Sequence, residues 1–125
     1  MRPLLIGIGN YLRNDDSAGR ELVRRLLLMM ANDRARWSEF DIAESDGSAL
    51  SLIDLWASRD DVLVVDAVED PARAPGTLLM FEARDVAKIV SSERASTHSL
   101  GLVEAFELSK ALGMLPRRLR VIGVV

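Results

Sequence analysis

The chain has 125 residues and a mass of 13.8 kDa, which suits one domain, residues 1–125, with a sizeable core. Its net charge of −3 and pI near 5.2 argue against nucleic-acid or anionic-membrane partners, and the absence of cysteine excludes disulfides, a thiolate nucleophile and Cys-type zinc sites. The sequence has neither an apolar run of the roughly 18–20 residues that cross a bilayer nor a signal peptide, so we expect a cytoplasmic protein.

The first half of the chain predicts two strands and two helices. Leu4–Ile8 has no polar side chain at either its odd or its even positions, a pattern that predicts a strand buried on both faces. Ser17–Ala31 follows the helical period. Phe40–Ala43 is a weaker strand candidate, and Ala49–Ala57 predicts a short helix.

The second half adds three strands and one helix. Val62–Val65 is β-branched and apolar, the strongest strand signal in the chain. Pro75-Gly76 suits the centre of a type II turn before a strand over Thr77–Phe81, and Ser99–Leu112 predicts a helix before a last strand at Leu119–Val125. The order predicts an α/β protein with a mostly parallel sheet of about five strands covered by helices. The predicted apolar faces of the three helices include Met29, Leu50 and Leu112.

Three polar residues follow strand ends or open helices: Asp16, Asp66 and His98. In a parallel sheet these junctions share the carboxyl edge, where ligand sites of open α/β sheets concentrate. Two carboxylates and an imidazole suit Zn²⁺, Ni²⁺ or Co²⁺ better than Ca²⁺ or Cu(I). We therefore predict a metal or acid/base site at this edge.

Each of these residues also has a purely structural interpretation. Asp16 could complement a helix dipole, which is the commoner role of an acid in a first turn. A single histidine such as His98 is more often structural than a ligand. Asp46-Gly47 is by default a turn, and Asn10 could satisfy loop backbone. Asp66 is harder to dismiss, because a carboxylate after four apolar strand residues is expensive to bury unless something pairs with it.

Two other site types fit the sequence poorly. The stretch Gly7–Leu12 has leucine where a dinucleotide fingerprint needs its third glycine, and the acids that follow would repel a pyrophosphate. Ser96 or Ser99 could join His98 and Asp66 in a hydrolytic triad, but the pattern G-x-S-x-G is absent.

Four motifs in order resemble those of the hydrogenase maturation proteases, the endopeptidases that process nickel–iron hydrogenase large subunits. They are Gly7-Ile8-Gly9-Asn10 with Asp15-Asp16 and Gly19, then Asp46-Gly47, then Val64-Val65-Asp66-Ala67, then Ser96-Thr97-His98-Ser99-Leu100-Gly101-Leu102. The likeness runs from residue 4 to the final strand.

The resemblance implies a three-layer α/β/α fold with a twisted, mainly parallel sheet. It also implies that Asp16, Asp66 and His98 contact nickel already loaded in a hydrogenase large-subunit precursor, from which a C-terminal peptide is removed. Nickel is then part of the substrate, and Zn²⁺ or Cd²⁺ could replace it in crystals. Asn10, Asp46 and Gly47 would shape the substrate cleft. The chemistry stays open between metal-assisted attack by water and general-base catalysis by Asp16 or Asp66.

The chain departs from the family pattern in three places. Ser17 follows the acidic pair in place of glycine, and Asp46-Gly47 continues into Ser48-Ala49 without a second glycine. Nothing follows Val125, where the family usually continues into a final helix. We therefore expect an exposed apolar patch on one sheet face, covered by a second copy or a partner. A second hypothesis is a non-catalytic module that binds a metalloprotein precursor without cutting it.

Overall fold

A computed structural model describes residues 2–8, 18–33, 35–36, 38–67, 71–74, 76–85 and 97–125, with the backbone alone at 18–23, 67 and 97–100. Five strands form one sheet: β1 (Leu4–Ile8), β2 (Asp41–Ser45), β3 (Asp61–Ala67), β4 (Leu78–Glu82) and β5 (Arg118–Val124). Within the same ranges lie three α-helices, α1 (Ala18–Asn32), α2 (Ala49–Trp56) and α3 (Thr97–Leu112), and a 3₁₀ turn at Ala83–Asp85. None of these helices is both long and apolar enough to span a bilayer.

The sheet has the order β2-β1-β3-β5-β4. Strands β2, β1, β3 and β5 are parallel to their neighbours, and β4 pairs antiparallel with β5 at one edge. All five residues of β1 are buried, as its apolar residues at both parities predict. The predicted α/β class and mostly parallel five-stranded sheet are confirmed.

Helices cover both faces of the sheet. Helix α1 lies across β1, β3 and β5 on one face, and α2 and α3 pack against each other on the opposite face. The larger core lies under α2 and α3, where Leu52, Trp56 and Ala105 meet the side chains of Ile6 and Val64. The indole Nε1 of Trp56 donates to the Ser109 hydroxyl at 2.9 Å inside this core.

The predicted helix faces are wrong at three positions, because Met29, Leu50 and Leu112 are exposed. In α1 the run of apolar residues is too wide for one helix face, so Met30 is buried and Met29 points to solvent. Leu50 lies in the first turn of α2 and Leu112 is the last residue of α3, and both positions lie beyond the packed centre of their helices.

One helix end and one predicted turn have the backbone geometry that their glycines favour. Gly113 ends α3 with a φ of +68°, the left-handed conformation that favours glycine at a helix end. Gly76 has a φ of +88°, and the Thr77 N–H donates to the carbonyl of Ala74 at 3.2 Å, as the type II turn requires. Pro75, the other central residue of this turn, lies outside the described residues.

Exposed apolar side chains occur on edge strand β4, at Leu78 and Met80. These residues pair with Val124 and Ile122, which pack in the core on the α1 side of the sheet. Exposed apolar surface is thus present on this face, and its cover by a second copy or a partner stays a prediction.

Candidate functional site at the carboxyl edge of the sheet

The carboxyl ends of β2, β1 and β3 bring one row of residues to the same edge. Ser45 pairs with Ile8, and Gly7 pairs with Val65, so Ile8 is level with Asp66 on the next strand. Asp66 in turn pairs with Gly123 of β5. Strands are about 4.8 Å apart, so about 10 Å separates the backbone of Ser45 from that of Asp66.

Asp66 is the buried carboxylate of this row, with 3% of its surface exposed. Side chains two residues apart in a strand lie on the same face of the sheet. Asp66 therefore shares a face with Val62 and Val64, and this is the face that α2 and α3 cover. Its neighbours in the row are apolar Ile8 and Gly123, which contributes no side chain. Because a buried carboxylate is stable only with polar or cationic partners, this position favours a binding or catalytic role over a solvated one.

The turn after β2 is held by its own side chains. The Ser48 N–H donates to Asp46 Oδ1 at 2.9 Å, and the buried Gly47 N–H donates to Ser45 Oγ at 3.1 Å. Gly47 has a φ of +86°, which few other residues adopt, and the Ser45 and Ser51 hydroxyls lie 2.8 Å apart. Ser48 also caps α2, accepting from the N–H of Ser51. These bonds fix the Asp46-Gly47 turn at the carboxyl edge.

Helix α3 begins at the same turn. A Cβ added at Gly101 would overlap the carbonyl oxygen of Gly47 and lie 3.2 Å from its carbonyl carbon, so the two backbones are in direct contact. Since α3 starts at Thr97, this contact places its first turn, with the backbone of His98, beside the turn after β2. Three chain segments that are distant in sequence therefore meet at one edge: the end of β3, the Asp46-Gly47 turn and the start of α3.

The predicted site residues are described to different extents. Asp66, Asp46 and Gly47 lie at the carboxyl edge, and His98 is placed there by its backbone alone. Asp16 and Asn10 lie outside the described residues. Among the side chains that the structure does describe, no group of three or more His, Cys, Asp and Glu residues is close enough to hold a metal ion. The convergence of Asp16, Asp66 and His98 stays a prediction.

In the described part of this edge, the Asp66 carboxylate is a suitable ligand for a divalent cation. Asp66 supplies a buried oxygen donor of the type that zinc, nickel and cobalt accept, and it lies at the carboxyl edge of the sheet. A complete donor set would need the imidazole of His98 and the carboxylate of Asp16.

Sequence analysis missed two residues of this edge. Ser45 binds the turn through its hydroxyl, yet a serine at the end of a weak strand gives no signal for that role. Gly101 gave a signal that was not used: a glycine inside a helical pattern often marks a close approach of another backbone.

The fold and this edge define the class of protein: an open, mainly parallel α/β sheet with a buried acid at the carboxyl end of a central strand. Structures of that class match this chain over its whole length. The hydrogenase maturating endopeptidase HybD from Escherichia coli superposes with a TM-score of 0.76 at 24% identity, with 74% of its own chain covered. The nickel–iron hydrogenase maturation protease HybD from Thermococcus kodakarensis gives 0.70 at 19% identity, with 80% covered. At these identities the likeness establishes the fold.

Sequence comparison establishes the family. Residues 28–125 match the family model described as hydrogenase maturation protease. The chain is 27% identical to the hydrogenase 2 maturation protease of Escherichia coli, covering all of this chain and 73% of that protein. It is 31% identical to the hydrogenase expression/formation protein HoxM of Azotobacter vinelandii, covering 97% of this chain and 56% of that protein. The chain belongs to the hydrogenase maturation protease family, as its four motifs predict.

Proposed function

We propose that this protein is an endopeptidase that removes a C-terminal peptide from a nickel-loaded hydrogenase large-subunit precursor. Membership of the maturation protease family supports the reaction class and the kind of substrate. The structural observation behind the proposal is the buried Asp66 carboxylate at the carboxyl edge, beside the turn against which α3 begins.

Asp16, Asp66 and His98 are the proposed contacts to the nickel ion of the precursor. Two carboxylate oxygens and an imidazole nitrogen match a borderline divalent ion, and three protein donors leave positions for groups of the precursor. On this proposal the metal marks a precursor ready for processing, so the endopeptidase discriminates loaded from empty precursor by contacts that only the loaded form offers.

The proposed reaction is hydrolysis of one peptide bond. Water adds to the carbonyl carbon, the carbon–nitrogen bond breaks, and a proton reaches the leaving nitrogen, giving a new carboxyl terminus and a free amine. A carboxylate of Asp16 or Asp66 can accept the proton of the attacking water and return it to the leaving nitrogen. The Asp66 carboxylate is buried at the strand end, which shields it from bulk water.

The test is incubation with nickel-loaded large-subunit precursor from the same source organism, followed by mass spectrometry of the precursor. We expect wild type to release a C-terminal peptide, and Asp66→Asn, Asp16→Ala and His98→Ala each to slow release by about 10²-fold or more. Asp54→Asn is the matched control for Asp66→Asn, since it removes an exposed charge from α2 and should leave the rate unchanged.

Two results would contradict the proposal. Full activity in Asp66→Asn would exclude the role of that carboxylate. Tight binding of the precursor by wild type without any loss of mass would favour the alternative, a non-catalytic module that docks on a metalloprotein precursor.

A further inference from the structure

A groove runs along the other side of the sheet, between α1 and edge strand β2. Two cavities of about 530 and 520 Å³ meet at Ala31 and Ile42. Helix α1 packs mainly over β1, β3 and β5, and the groove lies between this helix and β2. The cavity at the Glu44 end has a mainly apolar lining, from Leu27, Leu28, Ala31 and Ile42. The cavity at the Arg2 end adds Met30 and Phe40, but its lining is more polar than apolar.

The backbone of β2 has one open edge along this groove. The Asp41 N–H donates to the Pro3 carbonyl at 2.9 Å, so Asp41, Ala43 and Ser45 direct their peptide groups toward β1. Ile42 and Glu44 therefore direct theirs away from the sheet, and no described strand pairs with that edge. Such an edge is a template for one more strand.

We infer that this groove binds an extended, apolar segment of the precursor as a sixth strand beside β2. The inference rests on the proposed function for the identity of the partner. A strand added to β2 would bond to the outward peptide groups of Ile42 and Glu44, and every second side chain would enter the groove, whose apolar part lies at Leu27, Leu28 and Ile42. Leu28, 56% exposed, and Ile42, 37% exposed, are the side chains it would cover.

The charges around the groove select an uncharged segment. Arg24 and Glu44 flank the end at the carboxyl edge, and Arg2 with Asp41, whose Nε and Oδ1 are 3.0 Å apart, closes the other end. The charged residues that line the groove are two positive and two negative, and Asp41 is also paired with Arg59, which does not line either cavity. The lining therefore favours neither an acidic nor a basic peptide, and binding should depend little on salt.

The position of the groove connects it to the candidate site. Its open end lies at Glu44, next to Ser45, whose backbone is about 10 Å from that of Asp66 along the row of paired residues. A strand added outside β2 lies one strand spacing further away, about 14 Å from the backbone of Asp66. An extended chain advances about 3.3 Å per residue, so about five residues beyond the added strand are needed to reach Asp66. A segment held on β2 would thus deliver a peptide bond to the carboxyl edge, with the strand fixing its register.

The experiment measures the affinity of nickel-loaded precursor for full-length variants by biolayer interferometry. Leu28→Arg and Ile42→Arg place a charge in the groove and should weaken binding by about tenfold or more. Met29→Arg is the matched control, because Met29 is the next residue of α1, is 52% exposed and does not line either cavity. Leu50→Arg, on the opposite helix layer, is a second control. Both controls should stay within about twofold of wild type.

Hydrogen exchange followed by mass spectrometry gives a readout that does not depend on any substitution. Bound precursor should slow exchange in the peptide that contains Ile42 and Glu44. Unchanged affinity in both groove variants, or unprotected β2 amides in the complex, would overturn the inference. Cleavage of the precursor with unchanged affinity in the groove variants would refute binding in the groove and would still support the endopeptidase activity. Weaker binding by the groove variants, with no cleavage by wild type, would support the groove and refute the endopeptidase activity. Failure of the precursor to bind would overturn both.

Discussion

Replacing Gly101 with alanine tests the contact that brings α3 to the candidate site. The added Cβ would overlap the carbonyl oxygen of Gly47, which is backbone and cannot rotate away as a side chain would. Relief requires α3 to move away from the turn, or the turn to move away from α3. Either movement shifts the backbone of His98 relative to Asp46 and Gly47.

Two opposite effects set the size of the change in stability. Alanine is a better helix former than glycine by up to about 1 kcal/mol, which would stabilise an otherwise free helix. Overpacking against fixed atoms costs about 1–3 kcal/mol, and the overlap here is deep enough for the upper part of that range. We expect a net loss of about 1–2 kcal/mol, or roughly 4–8 °C in Tm at about 4 °C per kcal/mol for a domain of this size.

Urea unfolding and the precursor-processing assay should be applied together, with Gly113→Ala as the control. Gly113 has a φ of +68° at the other end of α3 and no atom within 4 Å of an added Cβ, so alanine there costs about 1 kcal/mol through backbone strain alone. The two variants should lose similar stability, but Gly101→Ala alone should also lose processing activity. An unchanged or raised free energy of unfolding in Gly101→Ala would show that helix propensity dominates and that the close contact with Gly47 is absent.

Two further predictions concern stability. Ser109→Ala should lower the free energy of unfolding by about 1–3 kcal/mol in urea titrations, because it leaves the buried Trp56 N–H without its acceptor, whereas exposed Ser38→Ala should change it little. Equal effects of the two substitutions would refute that account. The hydrogen bond from Arg59, together with the charge of Arg2, holds the pKa of Asp41 below its ordinary value of 3.8. The ionised Asp41 therefore stabilises the folded state fully above pH 3.8, and this stabilisation is lost as the pH falls through the lowered pKa. The Tm difference between wild type and Asp41→Asn should therefore be small, because the site is exposed, and should vanish in acid; a difference that grows on acidification would contradict this.

The strands were predictable where burial dominates their sequence. Leu4–Ile8 was predicted with the bounds that the structure gives it, because a strand buried on both faces needs apolar residues throughout. The second strand was predicted at Phe40–Ala43 and lies at Asp41–Ser45. Its last two residues are polar because Glu44 lies on the open edge and Ser45 bonds to the following turn, and neither role follows from apolar periodicity.

The candidate site was predictable in one part and not in another. A carboxylate at the end of a strongly apolar run pointed to Asp66, and the structure buries this residue within the last two positions of β3, while its functional role stays a prediction. The contact between Gly101 and Gly47 arises from the packing of α3 on the turn. A glycine within a helical pattern indicates that some other backbone comes close, but the sequence does not identify Gly47, 54 residues away, as the partner. The groove at Ile42 depends on how far α1 lies across the sheet, a tertiary property that helix periodicity does not contain.

The central claim is that Asp16, Asp66 and His98 surround one cation. Crystals of the full chain soaked with Ni²⁺, and separately with Cd²⁺, test it through anomalous scattering. We predict one strong peak at the carboxyl edge, within about 2.0–2.4 Å of oxygens of both carboxylates and of one imidazole nitrogen. A peak that touches Asp66 without the other two side chains, or one bound away from this edge, would contradict the account.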